Sequence, residues 1–139
     1  MQQGYLGKFV QIREDTSARM GVDEIIAHDD FHSSKALVPN LGISSSAFWV
    51  RMSIENDTKE NHLLLDLEHA EIEKVDLYLL KDGKAILMGS TGQSRPISSR
   101  SIAQPEFIFD LPIHSGDTAT ALFRLSGAKQ LQVPLKVYT

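Results

Sequence analysis

The chain contains no cysteine, which excludes disulfide frameworks, thiolate zinc sites and cysteine nucleophiles together. No apolar run approaches the roughly 20 residues that span a bilayer. The opening Met1-Gln2-Gln3-Gly4 is unlike the charged and then apolar start of a secretory signal. The sequence therefore reads either as cytoplasmic or as one piece of a longer protein whose targeting segments lie elsewhere. An excess of positive charge is missing too: 14 basic and 18 acidic side chains leave a formal net charge of -4. No overall field gathers phosphates, and nucleic acid and acidic membrane surfaces are disfavoured partners. Glycine-rich phosphate cradles of the P-loop and dinucleotide types are absent, as is a Gly-x-Ser-x-Gly turn, so nucleotide and hydrolase chemistry find no support.

What is present suits one globular domain. At 139 residues folding buries roughly two-thirds of the unfolded surface, enough for a single core. The domain is expected over residues 5–138, with residues 1–4 as a lead-in. Phe9-Val10-Gln11-Ile12-Arg13 alternates like a short strand and ends in the polar Glu14-Asp15-Thr16-Ser17. Val22, Ile25 and Ile26 are spaced for one or two helical turns between Met20 and Phe31. Residues 33–46, with Pro39, Gly42 and three successive serines, read as a long connection. From Ala47 the period becomes two. Phe48, Val50, Met52 and Ile54 point one way, and Trp49, Arg51, Ser53 and Glu55 the other. Leu63, Leu65 and Leu67, then Val75, Leu77 and Leu79, repeat the pattern. Asp82-Gly83 is the pair that tight hairpin turns select for positive φ. After an irregular stretch at 89–105, strands resume around Phe107, Phe109 and Leu111, around Ala121, Phe123 and Leu125, and from Leu131 to Val137. Many short strands and at most one short N-terminal helix predict an all-β sandwich.

Few residues suggest chemistry. His28-Asp29-Asp30-Phe31-His32 places two imidazoles four apart, but it lacks the glutamate of a metalloprotease helix, and a solvated helix end accounts for it. Glu68-His69-Ala70-Glu71-Ile72-Glu73 concentrates carboxylates that could offer an acid–base pair or a calcium site, but without calcium-loop spacing a charged bend between strands is the better account. No catalytic residue, metal or cofactor is expected. The face opposite the core carries more information: period-two phasing gathers Trp49 and Arg51 there with Asp66, Glu68, Tyr78 and Arg124. An aromatic among arginines and carboxylates suits a sugar ring or a carboxylated ligand. The plain alternative is that loops such as residues 89–105 cover the face and Trp49 packs beneath them.

A family resemblance rests on residues 9–15, Leu41-Gly42, residues 47–56 (Ala-Phe-Trp-Val-Arg-Met-Ser-Ile-Glu-Asn) and residues 71–79. It continues through Gly89 to Gly92, Arg95-Pro96, residues 107–111, residues 122–125 and residues 131–135. In this order they resemble the type 2 extracellular domain of bacterial seven-transmembrane receptors with diverse intracellular signalling modules, from Tyr5 to Tyr138. The resemblance implies a jelly-roll-like β-sandwich similar to carbohydrate-binding modules, lying outside the cytoplasmic membrane in the periplasm. It implies a ligand-sensing role, with small molecules or carbohydrate as ligands and the membrane-embedded remainder of a receptor as partner. It also implies that signal and membrane segments belong to a longer protein, with an output module such as a histidine kinase. Trp49, Arg51 and Arg124 match recurrent positions of that pattern, and Glu68 and Tyr78 join the candidate ligand site by phasing. A protein-interaction or homodimerising sandwich is the rival reading, its expected surface a free edge near Leu131 to Tyr138. A carbohydrate-active enzyme is a third reading, and it requires two opposed carboxyls in a cleft.

Overall fold

A computed structural model describes residues 10–27, 30–33, 40–67, 72–91, 107–132 and 135–138, with backbone alone for 40–45, 107, 128–132, 135, 136 and 138. The elements are β1 (Val10–Asp15), α1 (Val22–Ala27), β2 (His32–Ser33), β3 (Asn40–Glu55), β4 (Leu63–Leu67), β5 (Ile72–Lys81), β6 (Lys84–Thr91), β7 (Phe107–Leu111), β8 (Thr118–Gln132) and β9 (Leu135–Tyr138). They form an antiparallel sheet in the order β2-β1-β3-β8-β5-β6 and a smaller one in the order β7-β4-β9.

The expected alternation builds the interior. Val50 pairs with Phe123 and Met52 with Ala121 across β3 and β8, and Leu77 pairs with Phe123 across β5 and β8. All point into one cluster with Leu63, Leu65 and Leu67 of β4. The Phe109 and Phe123 rings meet edge to face at 5.5 Å between the two sheets, an arrangement worth about 0.5–1.5 kcal/mol beyond its buried area. Phe109 fits because Gly89 of β6 has no side chain: a Cβ there would lie 2.9 Å from the ring's Cε1. The β5–β6 hairpin turns at Asp82 (φ 54°) and Gly83 (φ 77°), the positive-φ pair that their sequence predicts.

The helix, expected as one or two turns between Met20 and Phe31, is present at Val22–Ala27. Two expectations need correction. Residues 40–46 belong to β3 instead of a loop, paired to β8 with register shifts between Asn40 and Ala47; backbone pairing needs no apolar alternation, so periodicity missed them. Asp66 is buried in the smaller sheet, opposite Ile108 and Lys136, and does not share Trp49's face, because phasing states in or out but not which sheet. The His28-Asp29 half of the histidine motif, residues 68–71 and residues 92–105 lie outside the described residues.

Gly89→Ala is expected to destabilise the fold by about 1–3 kcal/mol through overpacking against Phe109, read from urea unfolding. A variant as stable as the parent would mean that the ring moves aside freely.

Candidate functional site

The outer face of the large sheet is ruled by strand register. One row runs Gln11, Arg51, Leu122, Tyr78 and the next runs Arg13, Trp49, Arg124, Asp76 across β1, β3, β8 and β5. Four of the five expected site residues therefore converge: Trp49, Arg51, Tyr78 and Arg124. Glu68, the fifth, lies outside the described residues, and β4, which precedes it, belongs to the smaller sheet.

Trp49 is fully buried, at 0% exposure. It packs with Ile25 and Leu122, and with Met20, Val22, Phe31, Tyr78 and Leu80 at the margin. Tyr78 stacks on the indole at 6.3 Å and 27°, and the Arg124 guanidinium lies 5.9 Å from its centre. The cover among the described residues is the segment between β1 and β2; residues 92–105 of the expected covering loop lie outside them. As the protein stands, the indole offers no surface to a sugar.

That segment folds over the sheet because Asp15 forms a tight turn. Its carboxylate accepts hydrogen bonds from the Ser17 hydroxyl at 2.6 Å, the Ser17 N–H at 3.0 Å and the Met20 N–H at 2.9 Å. The Ala18 N–H donates to the Asp15 carbonyl at 3.1 Å. Burial pushes the Asp15 carboxyl up, but these bonds outweigh it and hold the group below its ordinary value. Ala18 adopts φ 55°, which costs an L-residue roughly 1–2 kcal/mol, and its carbonyl accepts a hydrogen bond from Arg124 Nη2 at 2.9 Å. Asp23 and Glu24 in the first turn of α1 suit the positive end of its dipole, and Ile25 alone of the helix is buried.

Arg51 stands at the margin of this covered cluster. Its Nε donates to Gln11 Oε1 at 2.9 Å, and Nη2 donates to the same oxygen. Its guanidinium lies 4.2 Å above the Phe31 ring. The group is thereby held flat beside a recess of about 380 Å³ lined by Val10, Gln11, Ser33, Arg51, Met52, Ser53 and Thr120. Guanidinium, amide and hydroxyl groups over an apolar floor of Val10 and Met52 suit a ligand with oxygen acceptors and hydroxyl donors. No carboxylate or imidazole is among the described residues lining it. Sequence reasoning missed Gln11, Ser33, Ser53, Thr120 and Phe31. Ser53 carried the right phase, whereas Gln11 joins Arg51 only through a pairing 40 positions apart.

A second recess of about 500 Å³ lies between the β5–β6 hairpin and the β7–β8 connection, where Leu79, Ile86, Met88 and Ile113 line it together with the polar Lys81, Asp82, His114 and Asp117. Beside it Ile86 and Leu87 are about half exposed on the edge strand β6. No described helix is long and apolar enough to cross a membrane.

Asp15→Asn is expected to lose about 1–2 kcal/mol of stability at neutral pH. Because the folded carboxyl titrates below its unfolded value near 3.8, its contribution is full above that value and disappears as pH falls through the folded one. Denaturant melts should therefore show the parent and variant converging in strong acid; a gap constant from pH 7 to pH 2 would contradict this.

The sequence profile of the 7TMR-DISM extracellular 2 family matches residues 7–139. No curated protein matches the chain.

Proposed function

The chain belongs to the 7TMR-DISM extracellular 2 family, an extracellular sensor domain of membrane receptors, and we propose that it senses a small oxygen-rich ligand in the recess beside Arg51. The observation that carries this reading is the fixed guanidinium: Gln11 and Phe31 hold Arg51 in place before any ligand arrives. Pre-ordering removes part of the entropy that binding otherwise costs. Carbohydrate and small hydroxylated or carboxylated molecules fit the donors and acceptors of Gln11, Ser33, Ser53 and Thr120. The domain binds and does no chemistry.

Trp49, Tyr78 and Arg124 act one layer behind the recess. Phe31 packs against the tryptophan cluster and under Arg51, and Ser33 of the adjoining β2 lines the recess. A ligand that touches Arg51 and Ser33 therefore favours one seating of this segment over another. Signalling to the membrane-embedded part of the receptor is then a population shift, as large as the ligand's difference in affinity for the two seatings.

The exposed Ile86 and Leu87 on an edge strand favour a second reading, in which the domain meets a protein partner or a second copy there.

The two are separated by a thermal-shift screen of mono- and oligosaccharides and hydroxy acids. At least one ligand should raise the Tm of the parent saturably. Arg51→Met should weaken its affinity by roughly 10–100-fold, the equivalent of one charge-assisted hydrogen bond. Stabilisation equal in both proteins would remove the recess from consideration. If no ligand acts and Ile86→Lys alone abolishes self-association, the second reading stands.

A further inference from the structure

Two buried N–H donors on the covered face have no hydrogen-bond partner among the described residues: Trp49 Nε1 and Arg13 Nη1. They are neighbours, since Arg13 and Trp49 stand directly opposite each other across β1 and β3. Their Cβ atoms are therefore about 5 Å apart and on one side of the sheet. A buried donor without an acceptor carries an uncompensated desolvation cost, larger where it is charged. Two such donors on register partners of one face point to a place where an acceptor belongs.

The charge around them narrows what that acceptor is. The ion pair that Arg13 makes, with Asp30 at 3.5 Å, is long, and Asp30 is 72% exposed and screened by water. Asp15, the next outward position along β1, has both carboxylate oxygens engaged by Ser17 and Met20 of its own turn. On the other flank of the indole, Arg124 adds a second guanidinium, with one nitrogen bound to the Ala18 carbonyl. Water would satisfy the two donors but not the charge. A carboxylate or phosphate oxygen satisfies both.

We propose that Arg13 Nη1 and Trp49 Nε1 form a small oxyanion site beneath the segment between β1 and β2, separate from the Arg51 recess. The anion bridges indole and guanidinium and ties β1 to β3 under the cover. Because Trp49 has no exposed surface, the site takes an anion the size of acetate or phosphate, or only the acidic end of a longer molecule. Entry requires residues 16–27 to lift, a local opening that releases the Ile25 contact, the Asp15 turn and the Arg124–Ala18 bond while the sheets stay intact.

The protein's single tryptophan supplies the readout, since its indole N–H gives one resonance in a proton–nitrogen correlation spectrum of the uniformly labelled protein. Sodium acetate and inorganic phosphate are titrated separately, against sodium chloride at equal ionic strength. The expected result is a saturable displacement of that resonance by acetate, phosphate or both, the responding anion giving the chemical class. The affinity should fall by about tenfold or more in Arg13→Gln and stay unchanged in Arg51→Met, which separates this site from the recess. Arg13→Lys, which keeps the charge and loses the fork, replaces the glutamine variant should that fail to fold, with the same loss expected. A resonance unmoved by either anion, displaced equally by chloride, or displaced as strongly in the Arg13 variants overturns the proposal and leaves water as the acceptor.

Discussion

The structure depends on β3 being buried on both faces. In a two-layer sandwich the outer side of each sheet normally meets water, and alternating strands carry polar residues there. β3 instead places Val50 and Trp49, successive residues, in two different clusters, each with no exposure. The inner cluster is closed by the smaller sheet. The outer one has no second sheet, so something else must cover an indole, and the segment carrying Met20, Val22, Ile25 and Phe31 does so. Every polar feature of this face follows from that requirement. The Asp15 turn starts the cover, Arg124 fastens it at Ala18, and Arg51 supports its far end at Phe31.

Two kinds of interaction hold the cover, and they differ in strength. Burial of Ile25 against Trp49 and Leu122 is a hydrophobic contribution of about 1.5–3 kcal/mol. The ion pair and the guanidinium–ring contact at the margins are partly wet and contribute about 1 kcal/mol or less each. A segment held this way opens at a free energy well below that of global unfolding. Under the proposed population shift, a ligand's differential affinity of a few kcal/mol suffices to redistribute the states of such a segment.

Much of this architecture was legible in period-two phasing, and the failures have one cause. Phe48, Val50 and Met52 face the interior as the alternation requires, as do Ala121, Phe123 and Leu125, and Asp82-Gly83 makes the turn its residues prefer. Phasing also placed Trp49, Arg51, Tyr78 and Arg124 on one face. It could not assign strands to sheets, which is why Asp66 was grouped with Trp49 although it lies in the other layer. Nor could it say what covers a face. The covering segment has a short helix and no long pattern of its own, and its role appears only when Arg13, Asp15 and Gln11 are registered against β3 across some 30 to 40 intervening residues. Pairings over such separations leave no local trace in the chain.

The same register gives the arginines fixed partners. An exposed guanidinium on a sheet needs no fixed partner, and most surface ion pairs contribute little. Here Arg51 receives both an amide oxygen and a ring face, and Arg124 receives a backbone carbonyl from a residue held at positive φ. Arg13 has one nitrogen buried without an acceptor. The three arginines around the one tryptophan have different partners: Asp30 meets Arg13, the Ala18 carbonyl meets Arg124, and Gln11 and Phe31 meet Arg51. On the proposed reading, the recess and the covering segment beside them make this face, rather than the apolar edge at β6, the place where ligand chemistry and conformational change meet.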